Sequence, residues 1–167
     1  MPAINIDKLY AMAEADADKL VEELFGFNFL LQNEFSIKLF FENDSIDKTK
    51  RKEYFDELYP KTTEIFKDFV HLIIDEGMFY RIQAVTMRCI HLSEKNKRAR
   101  YAYLESAFLL EPDYVEKIKC SFGKNMVFAT EVKPDLIGGF KIRFLDGMVF
   151  DASIAGKLAQ LKREIVK

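Results

Sequence analysis

Tryptophan is absent from this chain of 167 residues, and cysteine occurs only twice, proline four times and glycine seven times. Cys89 and Cys120 are too few and too unpatterned for a disulfide framework, which suits a reducing compartment and leaves a packed core to hold the fold. Sparse glycine and proline exclude collagen-like and linker-dominated chains. No apolar run approaches the roughly 18 residues that cross a bilayer. A formal net charge of −2 and a pI near 5.8 remove any bulk electrostatic reason to bind nucleic acid or an anionic membrane surface. The first residues are acidic and form neither an apolar signal core nor an Arg-rich transit segment, so a soluble, cytosolic or already trimmed chain is expected.

What the chain does contain is apolar periodicity. About half of its residues are apolar (49%), enough for one good core or two small ones. From Asn5 to about Arg98 the spacing is helical and only Gly26 and Gly77 interrupt it. The stripes run Ile6, Leu9, Tyr10, Ala13 and Ala17, then Leu20, Leu24, Phe27 and Leu31 with Val21 and Phe25 beside them. Gly26 predicts a close helix crossing. A short segment follows over Glu34 to Phe41. Asp47 to Tyr59 is predicted as a charged helix that buries Tyr54, Phe55 and Leu58 and stops at Pro60. Thr62 or Thr63 then caps a strongly apolar helix carrying Ile65, Phe66, Phe69, Val70 and Ile73, which ends near Gly77. Met78, Ile82, Val85, Cys89 and Leu92 make the last stripe.

Near residue 100 the period changes from helical to two. Ala102, Leu104, Ser106, Phe108 and Leu110 alternate with Tyr101, Tyr103, Glu105 and Ala107, so a strand opens a second region. Pro112 starts a short helix through Tyr114, Val115 and Ile118, and Met126 to Val132 is again a strand. Pro134 and Asp135 make a turn, and Gly138-Gly139 permits a bulge or a close backbone approach. Phe140, Ile142 and Phe144 then alternate with Lys141 and Arg143. Asp146-Gly147 fits a type I′ turn with both residues at positive φ, and Met148 to Asp151 returns. Asp151 or Ser153 caps a final helix with Ile154, Leu158, Leu161 and Ile165 on one stripe. The expected fold is mainly α in two domains. An antiparallel bundle of five or six helices spans 1–98 and a small α+β domain spans 99–167, with the boundary at Lys97 to Arg100.

The closing stretch carries an ordered pattern. A proline is followed by Leu136, Ile137, Gly138 and Gly139, then a strand, a hairpin, Asp151 and Ser153, and a helix with Lys157 and Leu158. That order and spacing resembles the C-terminal signature of the delta subunit of F-type ATP synthases, the family of the oligomycin-sensitivity-conferring protein. The likeness extends over most of the chain: Phe69 to Met78 looks like the family's apolar helix, turn and following helix. Glu105 to Leu110 looks like its Ser-Ala strand. The sequence departs from the family at its start: members usually begin with a longer first helix carrying a Tyr-Ala-x-Ala-Leu pattern, and here only Leu9 to Ala13 stands for part of it.

Chemistry-bearing residues have structural readings beside them. Cys89 and His91 lie about 200° apart around a helix and cannot readily share a metal. His71 reads as a partly buried, hydrogen-bonded residue and Asp75-Glu76 as a helix end. The glycine pair lacks the helix N-terminus and following lysine of a phosphate loop. Lys48, Lys50, Arg51 and Lys52 read as a solvated helix start. No convergent nucleophile, base and electrostatic clamp is present, so no catalytic residue, cofactor or metal is expected.

What the resemblance implies is a non-catalytic stator subunit. It would link the catalytic head of an ATP synthase to the b subunits and resist rotor torque. It would be peripheral to the membrane on the cytoplasmic face, or on the matrix or stroma side in an organelle, in one copy per complex. Its helical domain would grip alpha-subunit N-terminal helices between its first and fifth helices, with Ile6, Leu9, Tyr10, Ala13, Ile65, Phe66 and Phe69 as candidates. Leu158, Leu161 and Ile165 are candidates for the b-subunit side. The alternatives are a free-standing two-domain adaptor that uses the same apolar surfaces and a small thiol enzyme using Cys89 or Cys120.

Overall fold

The structure, a computed structural model, describes residues 10, 16–96, 99–123 and 125–165. The chain divides into two compact units, 1–98 and 99–167.

The first unit is helical: α1 (Ala17–Asn33), α2 (Phe35–Glu42), α3 (Lys48–Leu58), α4 (Glu64–Asp75) and α5 (Ile82–Lys95), with a 3-10 turn at Phe79–Arg81 leading into α5. Ile6, Leu9 and Ala13 lie outside the described residues. Ala17, expected on the first stripe, instead opens α1, where it is buried with Leu20, Val21, Leu24, Phe25, Phe27 and Leu31. The core is aromatic and converges on one ring. Phe27 of α1 meets Phe41 of α2, Phe55 of α3, Phe66 of α4 and Phe79 of the 3-10 turn edge-on, with centroids 5.4 to 6.0 Å apart. Such edge-to-face pairs add about 0.5–1.5 kcal/mol each beyond area burial. One side chain thus ties four elements together.

Four expectations are corrected here. Gly26 is exposed, and an added Cβ would meet nothing within 4 Å, so no close crossing occurs there among the described residues. Tyr54 and Leu58 are only half-buried, while Arg51 of the supposedly solvated helix start is buried. Its Nη1 donates to the Phe41 carbonyl at 2.9 Å, so the guanidinium caps the C-terminal end of α2, where a cation opposes the helix dipole. Finally, Met78 precedes the 3-10 turn rather than joining the helix of Ile82. The Thr63 cap is present: its hydroxyl accepts from the Phe66 N–H at 3.4 Å. Glu23 of α1 accepts from Thr62 Oγ1 at 2.7 Å, from the Thr63 N–H at 2.9 Å and from the Thr63 hydroxyl.

The second unit contains β1 (Arg100–Ser106), α6 (Pro112–Phe122), β2 (Met126–Val132), a 3-10 turn at Pro134–Leu136, β3 (Phe140–Phe144), β4 (Val149–Asp151) and α7 (Ile154–Ile165). The sheet order is β2-β1-β3-β4, with β1 parallel to β2 through the α6 crossover and the remaining pairs antiparallel. Ala102, Leu104, Met126 and Ile142 pack with Ile118 of α6 to form its core, and Val115 and Phe122 border it. β1 ends at Ser106, so Phe108 is exposed rather than part of the expected alternation, and Tyr114 is exposed too. Tyr101 and Glu105 are buried on the face opposite Leu104, because β1 is flanked by strands on both sides.

The hairpin is not the expected type I′. Asp146 does not have positive φ; Gly147 does, at 89°. Its N–H bonds the Phe144 carbonyl at 3.1 Å, and the Phe144 N–H bonds the Met148 carbonyl at 2.9 Å. This is the longer hairpin loop in which a left-handed glycine closes the turn.

Candidate docking surfaces

Polar side chains that could do chemistry are engaged in holding helices. His71 Nε2 lies 3.0 Å from Asp56 Oδ1, and Lys67 Nζ lies 2.9 Å from Asp56 Oδ2, joining α4 to α3. The Asp56 hydrogen bond raises the Lys67 pKa. Asp75 pairs with Lys52 at 2.6 Å, and its carbonyl accepts from Lys48 Nζ at 2.6 Å. Cys89 is buried and Cys120 exposed. Among the described residues no three His, Cys, Asp or Glu side chains gather as a metal site. On the sheet face opposite the core, Lys133 Nζ bridges Glu105 and Glu131, each at 3.1 Å. Burial works against the Lys133 charge, but the hydrogen bonds to these two carboxylates outweigh it and raise the pKa. Arg143 completes the set at 2.8 Å from Glu105 and lies over the Tyr103 ring.

The apolar candidates of the helical unit fall into two groups. Phe66 is wholly buried in the aromatic cluster, which makes it a core residue, and Phe69 and Tyr10 are buried as well. Ile65 is half-buried, and Leu72, which spacing did not single out, is exposed on the same helix. The candidate face of α4 therefore consists of Ile65 and Leu72 on the outside, with Phe66 and Phe69 beneath. The hydroxyl of Tyr10 is buried and has no hydrogen-bond partner among the described residues.

The signature of the second unit is built by close backbone approach. Gly139 has φ of 76°, and a Cβ there would lie 2.3 Å from the Ala152 carbonyl oxygen. At Gly138 a Cβ would lie 2.5 Å from Ile154 Cδ1. Gly139 has to lack a Cβ for the chain entering β3 to pass under the start of α7, whereas at Gly138 the atom met is the movable end of the Ile154 side chain; the Ala152 N–H then donates to Phe140 O at 3.0 Å and the Ile154 N–H to Gly138 O at 2.9 Å. Asp151 Oδ1 accepts from the Ser153 N–H at 2.9 Å and from its hydroxyl at 2.6 Å. Ser153 Oγ in turn accepts from the Gly156 N–H at 3.0 Å, capping α7. The two bonds from Ser153, side chain first, hold the Asp151 carboxyl below its usual pKa.

The helix so launched buries nothing. Ile154, Leu158, Leu161 and Ile165 are 46, 52, 53 and 81% exposed, and none of the residues of α7 is buried. Lys157 shares the helix with these, also exposed. Beside its first turn stands Ile137, 64% exposed. Met148 and Val149 of the hairpin are likewise exposed. An apolar stripe of this length left open to solvent makes α7 a candidate docking surface.

The sequence model described as "ATP synthase delta (OSCP) subunit" matches residues 8–165. The chain belongs to that family. Among its relatives, the ATP synthase subunit delta of Clostridium kluyveri is 23% identical over 174 aligned positions, covering 97% of this chain and 96% of the relative. That of Bacillus cytotoxicus is 24% identical, with the same coverage of both chains. A chain in a mitochondrial ATP synthase hexamer of Toxoplasma gondii shares the fold, with a TM-score of 0.53 at 12% identity over 97% of this chain and 95% of that one.

As a delta-family member the chain is a non-catalytic, peripheral-stalk subunit of an F-type ATP synthase. The adaptor and thiol-enzyme alternatives give way to this assignment. Association with the membrane is through the complex, and no helix among the described residues is long and apolar enough to cross a bilayer.

Proposed function

We propose that the two units clasp different neighbours within the stalk. The second unit holds the C-terminal end of the b subunits along α7, through Leu158, Leu161 and Ile165. The helical unit grips an alpha-subunit N-terminal helix along α4, with Ile65 and Leu72 as outer contacts and Tyr10, Phe66 and Phe69 shaping the helix beneath. Ile6, Leu9 and Ala13, outside the described residues, complete that groove in this reading. The division of the chain at 98/99 separates the two grips, and one copy per complex joins head to stalk on the cytoplasmic face, or on the matrix or stroma side in an organelle.

The observation that supports this most is α7, a helix of 12 residues that buries none of them in a unit otherwise packed around a sheet. A joint that transmits torque must dissociate slowly. Nanomolar affinity corresponds to roughly −12 kcal/mol, within reach of helix-in-groove contacts burying about 800 Å² per partner, and two attachments on one chain add effective concentration. The test is reconstitution of ATP synthase depleted of this subunit. The parent chain restores proton-coupled ATP synthesis, whereas a chain carrying Leu158→Asp and Leu161→Asp still binds the catalytic head but restores no coupling. Full coupling by that variant removes the α7 grip.

A further inference from the structure

Ile137 sits in a backbone conformation that its side chain disfavours. Its φ is 65° and ψ is −39°, and it is the one non-glycine residue at positive φ among those described. The Gly138 N–H donates across it to the Leu136 carbonyl at 2.7 Å, closing a three-residue turn. This is the γ-turn with positive φ at its centre, which is rare and strained, and a β-branched residue is the worst suited to it. Glycine, which has no Cβ, would relieve the strain, and asparagine, which is not branched at Cβ, would lessen it. The usual compensation, burial of the side chain, is missing, because Ile137 is 64% exposed.

Strain without local return points to a partner. Ile137 adjoins Gly138, against which Ile154 Cδ1 is seated, so its backbone is one residue from the first member of the α7 stripe. Charge defines the other side of the contact. At 3.6 residues per turn, Lys157 and Lys162 fall about 70° to either side of the stripe's midline. Both are exposed, and neither has an ion pair among the described residues. Glu164, bonded by Gln160 at 3.2 Å, flanks the stripe on the Lys157 side, and Arg163 lies on the back of the helix.

We propose that the turn at Ile137 is an anchor of the docking surface: it holds the exposed Ile137 side chain near the start of the α7 stripe, and the occupant is an amphipathic helix with carboxylates on the shoulders of its apolar seam. This rests on the α7 reading above and names the chemistry of its partner. The turn stays strained in the free chain because the strain is offset only when the side chain is covered.

The experiment titrates the full chain with a synthetic peptide copying the C-terminal helix of the b subunit of the same complex, at about 50 mM and about 0.5 M salt, alongside thermal melts. Ile137→Gly and Ile137→Asn are expected to melt no lower than the parent and to bind about tenfold more weakly, the loss of one buried apolar anchor. Lys157→Gln with Lys162→Gln weakens binding several-fold at low salt, and the difference closes at high salt. Unchanged binding by both Ile137 variants, or melting below the parent, overturns the anchor. Insensitivity of the double lysine variant to salt overturns the acidic partner. Leu158→Asp separates the two levels: if it binds like the parent, or if the parent binds no peptide, the α7 reading itself fails. Sedimentation showing a parent dimer that Ile137→Asn dissociates assigns the surface to a second copy of this chain and overturns the proposal.

Discussion

The two units are stable for different reasons. In the helical unit the core is a cluster of rings around Phe27, whose neighbours come from α2, α3, α4 and the 3-10 turn. Side-chain volume decides that unit. In the sheet unit the buried core is small, Ala102, Leu104, Ile118, Met126 and Ile142, and the attachment of its last helix depends on what is absent, the Cβ atom of Gly139. Backbone geometry decides that one. The first unit gathers its large rings into one core and leaves single apolar residues such as Phe35, Leu39 and Leu72 exposed, whereas the second leaves the apolar stripe of a whole helix open. A connector needs one body that keeps its shape and a surface that gains its full burial only on assembly.

Loss of the central ring tests this contrast most severely. Phe27→Ala removes every one of its ring pairs and is expected to cost about 4 kcal/mol. Hydrogen exchange should show loss of protection across 17–95 while 100–151 keeps its own; equal loss in both would show one cooperative body. Gly139→Ala is the counterpart in the sheet unit. A methyl 2.3 Å from the Ala152 carbonyl at positive φ should cost about 3 kcal/mol, with protection lost between β3 and α7 and retained in the bundle.

Helix caps sharpen the comparison on a smaller scale. Ser153→Ala and Thr63→Ala each remove an N-cap acceptor and should cost about 1 kcal/mol. Denaturant titration of each unit's exchange should place the two losses in different units. The Ser153 cap also carries a pH signature. The folded-state pKa of Asp151 is depressed by the bonds from Ser153, so its contribution is present above the ordinary carboxylate range and is lost as pH falls through the folded value. Melts of Asp151→Asn should lie below the parent at neutral pH and converge with it in acid. A gap that persists in acid would assign the effect to something other than this cap.

The smallest effect is expected at the most exposed stripe. Leu158→Asp should change the stability of the free chain by no more than about 0.5 kcal/mol, whereas the same change at Leu24, wholly buried in α1, should prevent folding of the bundle. A large loss at Leu158 would mean that α7 is part of a core.

Much of the fold was legible from spacing. The stripe of Leu20, Leu24, Phe27 and Leu31, the Thr63 cap, the period change near residue 100 and the strands at Met126 and Phe140 all appear as read. The misreadings share a cause. Arg51 looked solvated because periodicity carries no information on what faces a residue, and here the end of α2 offered its carbonyl. Gly26 looked like a crossing point, yet nothing described approaches it. Asp146-Gly147 suits two kinds of hairpin loop, and the choice rests on the bonds between Phe144, Gly147 and Met148. On the candidate surfaces, spacing grouped Phe66 with Ile65, and only packing separates the buried ring from the half-exposed residue beside it. No pattern announced the exposure of Ile137 or its strained turn.

The order of residues alone determined the family, through the signature from Pro134 to Leu158, together with the helical first unit and the mixed second one, because period and turn chemistry are local properties of a chain. Only the tertiary structure decided which apolar stripe is core and which is surface. A helix stripe reads the same whether other helices cover it or solvent does, and the difference between Leu24 and Leu158 lies in what the rest of the chain brings against them.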